Sequence, residues 1–127
     1  MSEATTDGIC IRVRSTYWPE RSAPEAGRFA FTYVVQISNG GAQAAQLRKR
    51  HWVITDANGR VEEIRGEGVI GKQPTIAPGK QFDYESWVML RTPFGAMRGT
   101  YLMARPDGST FEAKIAEFAL TQPHALH

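Results

Sequence analysis

An all-β antiparallel sandwich is the fold class this sequence predicts, and three observations carry the prediction. Apolar residues recur at every second position in Arg28 to Ile37, so that Phe29, Phe31, Tyr33, Val35 and Ile37 share one face of a strand. Short aromatic or β-branched runs are separated by Asn39-Gly40-Gly41, Asn58-Gly59, Pro78-Gly79 and Asp107-Gly108, where Gly or Asn supplies positive φ at little steric cost. No window of about twelve residues shows the i, i+3, i+4, i+7 apolar pattern, free of interior Gly or Pro, that a helix requires.

Taken in order, Met1 to Gly8 is small and polar and is expected to fray. From Ile9 the chain alternates, with Ile9, Ile11 and Val13 on one side and Cys10, Arg12 and Arg14 on the other. The Arg28–Ile37 strand follows as the central core strand, and Gly41 to Gln46 is the one place for a turn of helix. Further strands are predicted over Gln46–Thr55, Arg60–Arg65, Gln81–Leu90, Gly99–Arg105 and Thr110–Phe118. The tail Thr121 to His127, with Pro123 and no periodic pattern, is expected to be disordered, which puts the ordered chain at Ile9 to Leu120. About seven strands joined largely by hairpins favour a sandwich over a small barrel.

A length of 127 residues fits one domain spanning 1–127, and 42% hydrophobic with 22% charged residues is the balance of a folded, soluble protein. The formal net charge of +2 is too small to create the field that non-specific nucleic-acid binding needs. Cys10 is the single cysteine, so no internal disulfide forms and a reducing, cytoplasmic setting is expected. No apolar run approaches the roughly 20 residues that cross a bilayer, and the expected state is a monomer or weak homo-oligomer.

The segments HWVITD (His51 to Asp56), GEGVIG (Gly66 to Gly71), Gln73-Pro74, Pro78-Gly79, Tyr84-Glu85-Ser86 and TPFGAMRG (Thr92 to Gly99) followed by Tyr101 together resemble the bacterial ApaG family. The resemblance runs from Ile9 to Leu120 and implies an immunoglobulin-like or fibronectin type III-like sandwich. It also implies a genetic link to cobalt resistance and magnesium efflux, and a neighbouring diadenosine-tetraphosphate hydrolase gene. Related domains in eukaryotic F-box proteins and in a DNA-polymerase-interacting protein point to partner binding and not to catalysis. Where the family commonly has Ile-Pro-x-Phe, this chain has Ile115-Ala116-Glu117-Phe118.

Gly66-Glu67-Gly68-Val69-Ile70-Gly71 also matches G-x-G-x-x-G, but Lys72-Gln73-Pro74 follows and no crossover helix does, so a dinucleotide-binding Rossmann turn is not expected. Two readings remain for the loop. The glycines permit a tight connection or bulge where a Cβ would clash. Alternatively, successive N–H groups of Gly66, Gly68 and Gly71 form an anion nest, aided by Arg65 and Lys72, for phosphate, pyrophosphate or a nucleotide polyphosphate.

Arg48-Lys49-Arg50-His51 is the densest basic run, but on a strand these side chains alternate and form no single patch, so a solvated face is the reading and specific nucleic acid is not expected. Trp52 and Ile54 are assigned to the core. His51 is the single histidine outside the tail, and a triad from Ser86, His51 and Asp83 or Glu85 has no support in spacing, so no catalytic residues are expected. His124 and His127 lie in the tail and Glu62-Glu63 point apart, so no metal site and no cofactor are expected. Trp87, Phe94 and Met97, in or beside the TPFGAMRG segment, are either anchors of a protein interface on an exposed connection or, for Met97 and Trp87, plugs for the end of the core. The expectation is a non-enzymatic module for an unidentified protein partner, docking on a sheet edge or on one loop end carrying both Gly66–Gly71 and Thr92–Gly99.

Overall fold

The computed structural model describes residues 1–123. Among these residues nine strands form two antiparallel sheets: β1 (Ser2–Thr6), β2 (Ile9–Tyr17), β3 (Phe29–Asn39), β4 (Ala45–Asp56), β5 (Val61–Glu67), β6 (Thr75–Ile76), β7 (Gln81–Leu90), β8 (Phe94–Ala104) and β9 (Thr110–Thr121). One sheet runs β1-β2-β3-β7 and the other β5-β4-β8-β9, with β6 added to β4. The predicted sandwich is therefore the fold. No α-helix occurs among the described residues; Pro19–Arg21 and Pro24–Ala26 are single 3₁₀ turns in the β2–β3 connection, and Gly41 to Gln46 forms none.

Alternation dictates the core. Phe31, Tyr33, Val35 and Ile37 of β3 and Ile9, Ile11 and Val13 of β2 are buried against Trp52, Ile54, Tyr101, Met103, Ile115, Phe118 and Leu120 of the facing sheet. Trp52 is the hub, meeting Tyr33, Tyr101 and Phe118 edge-on with ring centroids 5.4, 6.2 and 5.9 Å away. Each such contact adds about 0.5–1.5 kcal/mol beyond area burial.

Three expectations are corrected. The opening residues do not fray: Asp7 and Gly8 both have positive φ (47° and 84°), as a two-residue primed turn requires, and they fold Ser2–Thr6 back onto β2 from Ser2↔Val13 to Thr6↔Ile9. Of the C-terminal tail, Thr121 closes β9, and residues 124–127 lie outside the described residues. Finally, two of the four turn signals are not hairpins. Asn58-Gly59 and Asp107-Gly108 do join paired strands, β4 to β5 and β8 to β9. Asn39-Gly40-Gly41 and Pro78-Gly79 instead carry the chain between sheets, where the buried Asn39 side chain holds both crossings together. Its amide donates to the carbonyls of Gln43 (2.8 Å) and Ile76 (2.9 Å), and its oxygen accepts the Gly41 N–H.

The β8–β9 ladder shifts register between Met97 and Gly99, where Gly99 pairs with Ile115 and Met97 with Phe118. Ala116, at the position of the family's proline, falls inside this bulge, so the ladder places no demand for a proline there.

Candidate functional site

The glycine loop proves to be tight backbone geometry. Gly68 has φ +62°, and a Cβ there would lie 2.2 Å from the Lys72 carbonyl oxygen, a contact no side chain tolerates. Beyond it Val69 and Lys72 exchange both backbone hydrogen bonds at 2.8 Å, closing a two-residue turn on Ile70 and Gly71, whose φ values of 44° and 76° fit a primed turn. The Gly68 N–H donates to the Arg48 carbonyl at 2.9 Å. With the N–H groups of Gly68, Val69 and Lys72 committed to backbone carbonyls, the loop does not present the row of free donors that a nest needs.

Nor do the predicted basic partners converge. Arg65 is exposed and turned to Glu63 on the same strand (3.3 Å), and Lys72 is exposed. Of the predicted set Arg65, Gly66, Gly68, Gly71 and Lys72, the structure brings together Gly66, Gly68 and Gly71, around a different cation.

That cation is Arg50. Its position two residues before Trp52 gives it the inward face of β4, while Lys49 and His51 face outward. In register, Arg50 lies between Gly66 of β5 and Tyr101 of β8. Gly66 leaves open the space its side chain crosses: a Cβ on Gly66 would come 2.7 Å from the guanidinium. Arg50 Nη1 donates to the carbonyl oxygens of Glu67 (3.0 Å) and Gly68 (2.9 Å), pinning the loop. Among the described residues no carboxylate forms a salt bridge with Arg50.

Around it lies a cleft of ≈ 270 Å³ between the two sheets, lined by Tyr33, Arg50, Trp52, Val69, Ile70, Gly71, Tyr84 and Ser86. Ser86 stands opposite Tyr33 in the β3–β7 register, and the hydroxyls of Tyr84 and Tyr101 hydrogen-bond one another across the core. Burial pushes the phenols of Tyr33, Tyr84 and Tyr101 upward, and the Arg50 charge draws each part of the way back.

The sign of the resulting pH effect follows from proton counting. Above about pH 10 an unfolded tyrosine loses its proton while these buried ones keep theirs. The unfolded state then binds fewer protons, so stability falls as pH rises past 10. Urea midpoints measured from pH 9 to 11 are expected to drop, with the 295 nm phenolate signal of Tyr33, Tyr84 and Tyr101 appearing only as the protein unfolds. Phenolate absorbance rising fully while the fold persists would contradict the burial.

The predicted interface trio separates. Met97 is 1% exposed and belongs to the core, because Phe94–Ala104 is a paired strand and not an exposed connection. Trp87 is 56% exposed on the outer face of β7, edge-on to Trp18 at 6.2 Å, and Phe94 opens β8 in the other sheet, so the two are not one patch. Nor do Gly66–Gly71 and Thr92–Gly99 share a loop end. β4 pairs Lys49 with Glu67 but Asp56 with Gly95, which puts them at opposite ends of that strand.

His51 Nε2–H donates a 2.7 Å hydrogen bond to the Glu63 carboxylate on the outer face, while Ser86 lines the inter-sheet cleft, so the two belong to no common triad. Among the described residues no group of three His, Cys, Asp or Glu side chains is placed to hold a metal ion, and no helix is long and apolar enough to cross a membrane. The predicted tail pair His124 and His127 lies outside the described residues.

As a basic run on a solvated strand face, Arg48–His51 does not single out Arg50 in the sequence. The available signal was parity: a charged residue in phase with Trp52 and Ile54 must be either buried with partners or at a site.

Fold and cleft together define a small two-sheet β-sandwich domain with a polar cleft at Arg50 between its sheets. The ApaG domain family matches residues 19–105, and the chain belongs to that family. It is 54% identical over its full 127 residues, covering the whole of both chains, to Protein ApaG of Anaeromyxobacter dehalogenans strain 2CP-C. To Protein ApaG of Pseudomonas paraeruginosa it is 52% identical over 123 residues, which is 97% of this chain and 98% of that one. A crystal structure of a Bordetella pertussis protein described as ApaA superposes with TM-score 0.89 at 46% identity, covering 91% of this chain and 94% of the other.

Proposed function

We propose that this domain is a non-enzymatic binding module of the cytoplasm that docks a protein partner by strand addition to the free edge of β5. The observation that carries the reading is the state of β5. It pairs with β4 on one side alone, and six of its seven residues are exposed, including Val61 at 57% and Ile64 at 38%. An unpaired strand edge offers a row of N–H and C=O groups to an incoming strand. Glu62, Glu63 and Glu67 against Arg65 give β5 an acidic bias, which discourages self-association and favours a partner strand carrying Lys or Arg. Any effect on cobalt or magnesium handling then runs through that partner.

A photo-crosslinking amino acid placed at Ile64, in bacteria expressing the chain, is expected to yield one discrete heteromeric adduct, and the same probe at Lys114 on the far edge strand β9 none. Equal labelling from both positions, or adducts only between copies of the chain, would sink the reading.

A further inference from the structure

We infer that the inter-sheet cleft at Arg50 is a binding site for a small organic monocarboxylate, an acid group carried on a short aromatic or aliphatic body. This site is separate from the β5 edge and does not depend on it. Four observations converge. Arg50 brings one positive charge to the cleft with no carboxylate partner among the described residues, and Nη1 alone holds the loop carbonyls, leaving Nη2 and Nε–H. A charge left in a half-buried setting calls for a counter-charge, and a guanidinium matches a planar carboxylate.

The second observation is the lining: Ser86 and the phenols of Tyr33 and Tyr84 supply polar groups, while Trp52, Val69 and Ile70 supply apolar wall. The third is size and charge. A space of ≈ 270 Å³ lies just below the usual range of ligand sites and fits a small body, and with Arg65 on Glu63 and Lys72 exposed outside the lining, one cation suits a monoanion and not a polyphosphate.

The fourth is Ile70. A β-branched residue at φ +44° is a backbone outlier, in a turn position that Asn, Asp or Gly would fill without strain. Its side chain is 53% exposed and lines the cleft, so the strain holds an apolar group at the rim where a ligand body would rest.

The test titrates labelled protein with benzoate, benzamide, acetyl-phenylalanine, acetyl-phenylalanine amide, phosphate and pyrophosphate, following the Arg50 Nε–H and the amides of Ile70, Gly71 and Ser86 by NMR. The two acids are expected to give saturable shifts confined to these groups, with Kd at or below about 1 mM, and the two neutral amides none. Tighter binding of acetyl-phenylalanine identifies a chain terminus as the natural source, and tighter binding of benzoate a free acid.

Arg50→Gln is expected to weaken benzoate at least about tenfold. Ile70→Asn is expected to raise the urea midpoint while weakening benzoate several-fold, a split that a merely structural isoleucine does not produce, and it serves if Arg50→Gln fails to fold. Absence of saturable shifts, binding unchanged in a folded Arg50→Gln protein, neutral amides binding as well as the acids, or pyrophosphate binding more tightly than benzoate overturns the assignment.

Discussion

Trp52→Ala is expected to lower unfolding free energy by about 3–5 kcal/mol, the range for removing a large buried aromatic whose cavity cannot collapse. Collapse is blocked here because Tyr33, Tyr101 and Phe118, which close on the indole from both sheets, are each held by their own strand ladders. A domain of this size has about 5–15 kcal/mol in total, so the variant stands near the limit of folding. Trp87→Ala is the control: its ring is 56% exposed and its aromatic partner among the described residues is Trp18, edge-on, so a loss of at most about 1.5 kcal/mol is expected. Urea denaturation followed by far-ultraviolet circular dichroism measures both. Equal losses would show that Trp52 is not the hub of the inter-sheet core.

Gly68→Ala is expected to cost at least about 2 kcal/mol, combining the left-handed φ of +62° with a Cβ 2.2 Å from the Lys72 carbonyl oxygen. The loop can yield only by breaking the Val69–Lys72 turn or by moving the carbonyl of Gly68 itself, which accepts from Arg50. The same substitution therefore disturbs Arg50 through this hydrogen bond, visible as a shifted Nε–H resonance. Gly71→Ala separates the two causes, because Gly71 has φ +76° but nothing within 4 Å of an added Cβ. It is expected to cost only the backbone share, about 1–2 kcal/mol. If Gly68→Ala and Gly71→Ala cost the same, the steric contact at Lys72 is not the reason for the glycine.

Much of the fold is legible in residue order because period-two alternation is a local property. It places β3, β4, β5 and β7 within a residue or two, gives the start of β2, and assigns Phe31, Tyr33, Val35, Ile37, Trp52 and Ile54 to the interior, where the structure has them. β1 was missed because Ser2–Thr6 carries no alternation, although Asp7-Gly8 was a turn signal of the same kind as Asp107-Gly108. β8 was cut short at Gly99 because its glycines read as a loop. Gly95 and Gly99 instead permit close approach of β8 to β4, where an added Cβ would lie 2.4 Å from the Thr55 and 2.1 Å from the His51 carbonyl oxygen.

What the sequence alone determined was therefore the sandwich class, the core faces, the turn residues and the kinship with the ApaG family, all of which depend on local pattern or on residue identity. The tertiary structure decided which turns cross between sheets, that Met97 is core and Trp87 surface, and that Arg50, not Arg65 or Lys72, is the cation at the glycine loop. These outcomes turn on which strand lies beside which. Arg50 reaches the loop only because β4 pairs it with Gly66, residues sixteen apart whose meeting is set by strand register and not by any local preference.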